Sequence, residues 1–179
     1  MLTSIAVIVV LLIAAVLIIA STKPDIFRVE RSAGIKAPPE KIFPFINDFH
    51  SWTQWSPYEN KDPSMERTYG AVTSGKGATY AWSGDKNVGQ GSMEIADTVP
   101  PSKIQLKLAF VKPFKCQNAV EFTLEPLGGE TKVTWAMQGA VPYFAKLIHV
   151  FINMDKMVGK DFEVGLANLK AAAEKQVAA

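Results

Sequence analysis

Residues 103–111 read KIQLKLAFV, residues 119–125 read AVEFTLE and residues 132–139 read KVTWAMQG. In the first segment Ile104, Leu106, Leu108 and Phe110 alternate with Gln105, Lys107 and Ala109. In the second, Val120, Phe122 and Leu124 alternate with Glu121, Thr123 and Glu125. In the third, Val133, Trp135 and Met137 share one face. Successive strand side chains point to opposite faces, so alternation of period two describes a sheet with one packed and one wet face, as antiparallel sheets commonly have. Gly128-Gly129 marks a hairpin between the second and third segments. Working back along the chain, Gly91–Thr98, Ala78–Ser83 and Met65–Tyr69 also read as strands bounded by turn residues.

Beyond these strands, Tyr143 to Lys175 reads as one long amphipathic helix. At 100° per residue, Phe144, Ile148, Phe151, Val158, Phe162, Leu166 and Leu169 fall on one stripe, with His149, Lys156, Lys160 and Glu163 opposite. Before the strands, Ile26–Ile35 reads as a first strand. Pro38-Pro39-Glu40 then opens a helix with the apolar face Ile42, Phe43, Phe45 and Ile46, crowded by Pro44. A short helical or turn segment covers Asp48 to Trp55 and closes at Ser56-Pro57. This order predicts an α+β fold in which a curved antiparallel sheet wraps a long C-terminal helix.

The N-terminus is different in kind. Residues 5–20 read IAVIVVLLIAAVLIIA, and no charged side chain precedes Lys23. Counted back to Leu2 the span is 19 residues, about 28 Å as a helix, close to the hydrocarbon thickness of a bilayer. A cleaved signal peptide would carry a basic n-region, a shorter apolar run and a clear small-residue cleavage site. Here no Lys or Arg comes first, and Ala20-Ser21-Thr22 is a poor cleavage context. The expectation is therefore an uncleaved transmembrane anchor over 1–22, a linker at 23–25, a single domain over 26–175 and a tail at 176–179. Lys23, Arg28, Arg31 and Lys36 follow the span and favour a cytoplasmic domain on a single-pass anchor in the cell membrane.

Composition removes several classes of function. Hydrophobic residues make up 48% and charged residues 20%, which argues against disorder. A net charge of +2 is too small for a nucleic-acid binder driven by bulk charge. One cysteine, Cys116, excludes an internal disulfide, and with two histidines there is little material for a metal site. No metal and no cofactor are expected.

The arrangement resembles the START-like, helix-grip (SRPBCC) superfamily, in its polyketide cyclase/dehydrase branch. The resemblance rests on Pro38-Pro39-Glu40, on Asp48 with Trp52 and Trp55-Ser56-Pro57, on Gly89-x-Gly91 entering the strand of Met93 and Ile95 before Pro100, and on the final helix. It covers about residues 26–175. It implies a deep apolar cavity between sheet and helix that takes lipids, polyketides or other hydrophobic molecules; a few members are cyclases or dehydratases. On this sequence the lining would be Tyr80, Trp82, Met93, Phe110, Phe122, Trp135 and Met137 from the sheet. Phe151, Asp155 and Phe162 would join it from the helix.

Asp155 is the most informative candidate, because it lies near the centre of the apolar stripe, and a buried carboxylate is costly unless paired. It would fix a ligand head group or act as acid or base with Tyr80 or Arg67; alternatively it is a structural carboxylate held by a basic side chain. Arg67 would neutralise a carboxylate ligand or Asp155, or be a solvated strand residue. Trp52 and Trp55 read as core, His149 as solvated, Cys116 as a small buried residue, and Asp48 with His50 as a turn rather than a catalytic pair. Lys103, Lys107, Lys112 and Lys115 form either a wet strand face or a contact for anionic lipid. Three functions follow as expectations: a membrane-anchored binding domain for a small hydrophobic ligand, a cyclase- or dehydratase-type enzyme, or a structural or regulatory module with a filled interior.

Overall fold

The computed structural model describes residues 2–178. Seven strands form one antiparallel sheet in the order β1-β7-β6-β5-β4-β3-β2. The strands are β1 (Ile26–Ile35), β2 (Glu66–Tyr69), β3 (Thr79–Ser83), β4 (Gln90–Val99), β5 (Lys103–Lys112), β6 (Cys116–Leu127) and β7 (Glu130–Ala140). Every neighbouring pair is antiparallel, including β1 against β7. Leu127 pairs with Glu130 across the Gly128-Gly129 loop. Both glycines have positive φ, 54° and 99°, which a two-residue hairpin turn of this hand demands.

The alternation read from the sequence sorts the faces. Ile104, Leu106, Val120, Phe122, Leu124, Val133, Trp135 and Met137 are buried on the inner face. Helix α2 (Pro39–Asn47), a 3-10 turn (Phe49–Gln54) and the short helix α3 (Pro57–Lys61) cover part of that face. Trp52 donates its indole N–H to the Ile46 carbonyl at 2.9 Å, and Trp55 donates to the Phe45 carbonyl at 2.8 Å. These bonds satisfy both buried indoles and lock the turn beneath α2.

The C-terminal segment departs from the single helix expected over Tyr143–Lys175. It is two helices, α4 (Tyr143–Phe151) and α5 (Met154–Ala178). Ile152 is extended (φ −112°, ψ 124°), and the Asn153 side chain accepts the Lys156 amide at 2.9 Å. That is an N-cap, and it starts a new helix in a new direction. The stripe therefore divides: Val158, Phe162, Leu166 and Leu169 are buried, whereas Phe144 is 65% and Phe151 77% exposed. Helix α5 follows β1 in the same direction, with Lys170 bonded to the Gly34 carbonyl and Glu174 accepting the Lys36 amide.

Helix α1 (Leu2–Ser21) contains an 18-residue stretch, Ser4–Ser21, long and apolar enough to cross a membrane, with a mean hydropathy of 3.1 and only 6% of it buried. It is thus not a core helix. Its end meets α4, where the Tyr143 hydroxyl donates to the Leu17 carbonyl at 3.2 Å. The linker at 23–25 is tied down: Asp25 accepts the Val141 amide on its carbonyl at 2.7 Å and pairs with the largely buried Lys146 ammonium at 2.6 Å. Helix α5 continues through most of the expected tail; residues 1 and 179, the outer ends of the expected anchor and tail, lie outside the described residues.

Candidate functional site

Between the sheet and α5 the space is occupied by the protein's own rings. Phe162 stacks on Trp135 at 4.0 Å and 10°, Trp135 lies 5.0 Å from Phe122, and Trp55 meets both edge-on. Gly165 lies directly beside the Trp135 ring and Pro57, which is how α5 comes this close. Phe122, Trp135, Met137 and Phe162, expected to line a cavity, are core residues here. The Trp135 indole nitrogen is buried and has no hydrogen-bond partner among the described residues.

The inner face is covered unevenly, because α5 lies over β1 and β7 and α4 turns away. One row crosses the sheet at the uncovered end: Phe27, Gly139, Asn118, Leu108, Met93, Tyr80 and Tyr69 are successive cross-strand partners. The next row toward the β5–β6 turn holds Phe110, Gly91 and Trp82. Phe27, Trp82, Met93, Leu108 and Phe110 are only half-buried, as is Met154 at the start of α5. This half-open apolar mouth is where Trp82, Met93 and Phe110 come together. Tyr80 stands at its inner edge, stacked between Phe49 and Trp82.

An open cleft of about 620 Å³ lies across β2–β6. Its lining takes the row of Tyr69, Tyr80, Met93, Leu108 and Asn118 together with both flanking rows of opposite parity, which include Ala81, Ser92, Ala109, Glu94 and Lys107. Trp82 and Phe110, which flank that row on the inside, do not line it. The cleft therefore sits on the outer surface, a shallow trough where small side chains leave the backbone bare.

Beneath the mouth, three polar groups converge that the sequence did not bring together. Glu59 of α3, 8% exposed, accepts Arg67 Nε on one carboxylate oxygen at 2.7 Å and the Tyr80 hydroxyl on the other at 2.9 Å. Arg67 also donates to the Met65 carbonyl at 2.8 Å. Burial, then the neighbouring Glu59 charge, pushes the Tyr80 phenol far above its ordinary value. Both Glu59 oxygens are thus occupied, and the group is a closed network rather than a free base. Arg67 is neither solvated nor near Asp155. Glu59 was invisible in the sequence, since a five-residue helix carries no periodicity to mark an inward carboxylate.

Asp155, expected inside, lies at the surface. Arg31 grips it with two guanidinium nitrogens at 2.9 and 3.0 Å, and also bonds Glu163 at 2.8 Å. The Arg31 hydrogen bonds hold the Asp155 carboxyl below the usual carboxylate range. Asp155 keeps its place on the α5 stripe with Val158 and Phe162 but sits in the first turn of that helix, where Arg31 of β1 meets it at the partly exposed end. Phe151 left the lining because the break at Ile152 puts it on α4, away from the α5 stripe.

The remaining candidates resolve simply. Asp48 accepts the His50 amide at 2.9 Å as a turn cap, and the His50 ring lies on Tyr69 at 4.0 Å. Cys116, expected buried, is exposed at the start of β6. His149 is half-buried edge-on to Phe27, and burial lowers its pKa. Lys103 and Lys107 pair with Glu121 and Glu94. Among the described residues no cluster of three His, Cys, Asp or Glu could hold a metal.

A seven-stranded antiparallel sheet closed by a long terminal helix, with a proline-opened helix and an aromatic turn between the first two strands, is the helix-grip fold. Residues 27–174 match the sequence profile of the family described as polyketide cyclase/dehydrase and lipid transport. The chain belongs to that family. Solved structures share the fold of this polyketide cyclase/dehydrase member. An uncharacterised protein from Rhizobium leguminosarum superimposes with a TM-score of 0.60 at 16% identity, covering 84% of this chain and 95% of its own. The Aha1 dimer from Colwellia psychrerythraea gives 0.59 at 19% identity, covering 83% and 96%. DynU16, a putative protein of the dynemicin biosynthetic locus, gives 0.56 at 14% identity, covering 85% of this chain and 48% of its own. At these identities the likeness shows the fold alone. A search of curated proteins finds no match to the chain.

Proposed function

We propose that this protein is a membrane-anchored binding domain for a small hydrophobic molecule. The molecule is held at the open mouth of the grip, against Leu108, Met93, Trp82 and Phe110, with Phe27 and Met154 on the helix side. The observation that carries the reading is that half-buried apolar row, which continues the core and stays partly exposed at its open end. Apolar surface left in this state gains from any greasy occupant, at about 0.8 kcal/mol per methylene buried before ordering costs. The family's description as lipid transport supports the same chemistry. In this reading helix α1 is an uncleaved span, and the basic residues after it support a domain on the cytoplasmic side.

The enzymatic reading has less support. It requires a titratable group free to exchange a proton with the ligand. Glu59 and Tyr80 are committed to each other, and Asp155 is turned outward.

The test is organic extraction of the purified full chain followed by mass spectrometry, together with titration by a fluorescent acyl probe. An apolar molecule recovered near one per chain, displaced by the probe, is the expected result. An empty protein that also ignores the probe would remove the reading. Digestion of the domain by protease added outside intact cells would reverse the orientation.

A further inference from the structure

The strand register gathers a set of exposed apolar and basic residues at one end of the sheet. Ile26, just after α1, faces Ala140, just before α4. Gly139 faces Asn118 of β6, and Cys116 faces Phe110 of β5. The β5–β6 turn at 113–115 therefore projects from the same end as α1, about 10 Å past the Ile26 row at roughly 3.3 Å per residue. Phe114 on this turn is 62% exposed, and Val111 near the end of β5 is 46% exposed. Lys112 and Lys115 flank Phe114, exposed and with no carboxylate partner among the described residues.

Helix α4 is at the same end and is the element that meets α1. Phe144, Ile148 and Phe151 follow a helical spacing of four and three. Phe144 and Phe151 are largely exposed, and Ile152 beyond them is 42% exposed. The polar side of α4 is used inward, by Lys146 on Asp25. Near α4 the acidic groups are paired, Asp25 with Lys146 and Asp155 with Arg31, while Glu66 on the β2 edge strand is exposed in the row of Lys112. Asp85, in the adjacent β3–β4 turn, bonds Asn87 and sits next to Lys86. At the opposite end of the sheet, exposed Val99 and Leu127 end the separate strands β4 and β6.

We propose that this end of the domain docks on the surface of an anionic bilayer. Helix α4 lies in the interface on its Phe144–Phe151 face. The 113–115 turn places Phe114 among the acyl chains and Lys112 and Lys115 among the phosphates. The proposal rests on reading α1 as a span. Its occupant is argued from continuity, because α1 fixes the bilayer at this end and α4 packs directly on α1. It is also argued from charge, because the unpaired side chains flanking the apolar residues are basic. The mouth begins one row behind this surface, at Phe27, Asn118 and Leu108, so a docked domain opens beside the membrane.

The test uses the full chain in vesicles with Cys116→Ser, an environment-sensitive fluorophore on one introduced cysteine, and brominated lipids as quenchers. The labelled variants are Leu11→Cys in α1, Phe114→Cys, Phe151→Cys and, as a far-end control, Leu127→Cys. In vesicles containing phosphatidylglycerol, quenching at positions 114 and 151 is expected to approach that at position 11, with position 127 unquenched. Adding Lys112→Glu and Lys115→Glu should weaken docking by about fivefold for each lysine's lost attraction, and further for the new repulsion, returning position 114 toward the control value. Strong quenching at position 11 with none at 114 and 151 overturns the docking surface and leaves the anchor standing; it would assign the face to a protein partner. Absence of quenching at position 11 as well overturns both.

Discussion

Trp55 and Trp135 are equally buried, yet their indole N–H groups have opposite fates. Trp55 donates to the Phe45 carbonyl, whereas Trp135 reaches nothing. Replacing Trp55 by Phe leaves a buried carbonyl unpaired, at about 1–3 kcal/mol beyond the lost packing; replacing Trp135 by Phe removes an unpaired donor of similar cost. Trp55→Phe should therefore be the more destabilising by about 2 kcal/mol or more in urea denaturation, and equal losses would contradict the hydrogen-bond assignment. From the sequence Trp55 reads as core and Trp135 as cavity lining; the pattern cannot tell that both are core, nor which nitrogen finds a carbonyl. The two carboxylates show the same limit. Asp155 looked buried because it continues the α5 stripe of Val158 and Phe162, although it stands in the first turn of that helix, and Glu59 looked ordinary because its short helix has no period. Which acid goes inside is decided by tertiary partners, Arg31 in one case and Arg67 with Tyr80 in the other.

Elements were legible where local pattern and tertiary role agree. The first strand has the bounds the sequence implied, and the other six appear within a few residues of theirs, since one buried face enforces strict alternation. The C-terminal break was hidden because the residues around Asn153 remain compatible with a helix; the Asn153 cap and the packing of α4 on α1 make the difference. Two glycines in α5 sharpen the point. At Gly165 an added Cβ would stand 2.7 Å from the Trp135 ring and 3.0 Å from Pro57, both rigid. Gly165→Ala should cost about 1–3 kcal/mol despite its better helix propensity. At Gly159 the obstacle is the Arg31 guanidinium, the end of a flexible chain. Gly159→Ala should stay within about 1 kcal/mol of wild type, as its propensity gain offsets the displaced ion pair. Thermal midpoints of the two variants check this, and the reverse order would mean that α5 does not press on Trp135.

At the scale of the whole molecule, two consequences separate the solid interior from the open mouth. Burial raises the pKa of Tyr58, Tyr69 and Tyr80, so folding holds these phenols neutral. Above the unfolded value of about 10, the unfolded chain loses protons that the folded chain keeps, and stability must fall as pH rises, by at most about 1.4 kcal/mol per tyrosine per pH unit. Alkaline unfolding should be correspondingly steep, and Tyr80→Phe should make the slope shallower by about one proton. The mouth obeys a different rule, because its apolar side chains are only half-buried and carry little of the stability. Leu108→Trp fills the centre of the open row. It should abolish recovery of the bound apolar molecule while changing the urea midpoint by less than about 1 kcal/mol equivalent, as side chains outside the packed core usually do. Phe122→Ala opens a hole in the aromatic cluster and should cost about 3–5 kcal/mol, yet leave the ligand load of the folded fraction unchanged. If Leu108→Trp keeps its full load, or if Phe122→Ala raises the load, the ligand enters the space beneath α5, and the mouth is surface without that role.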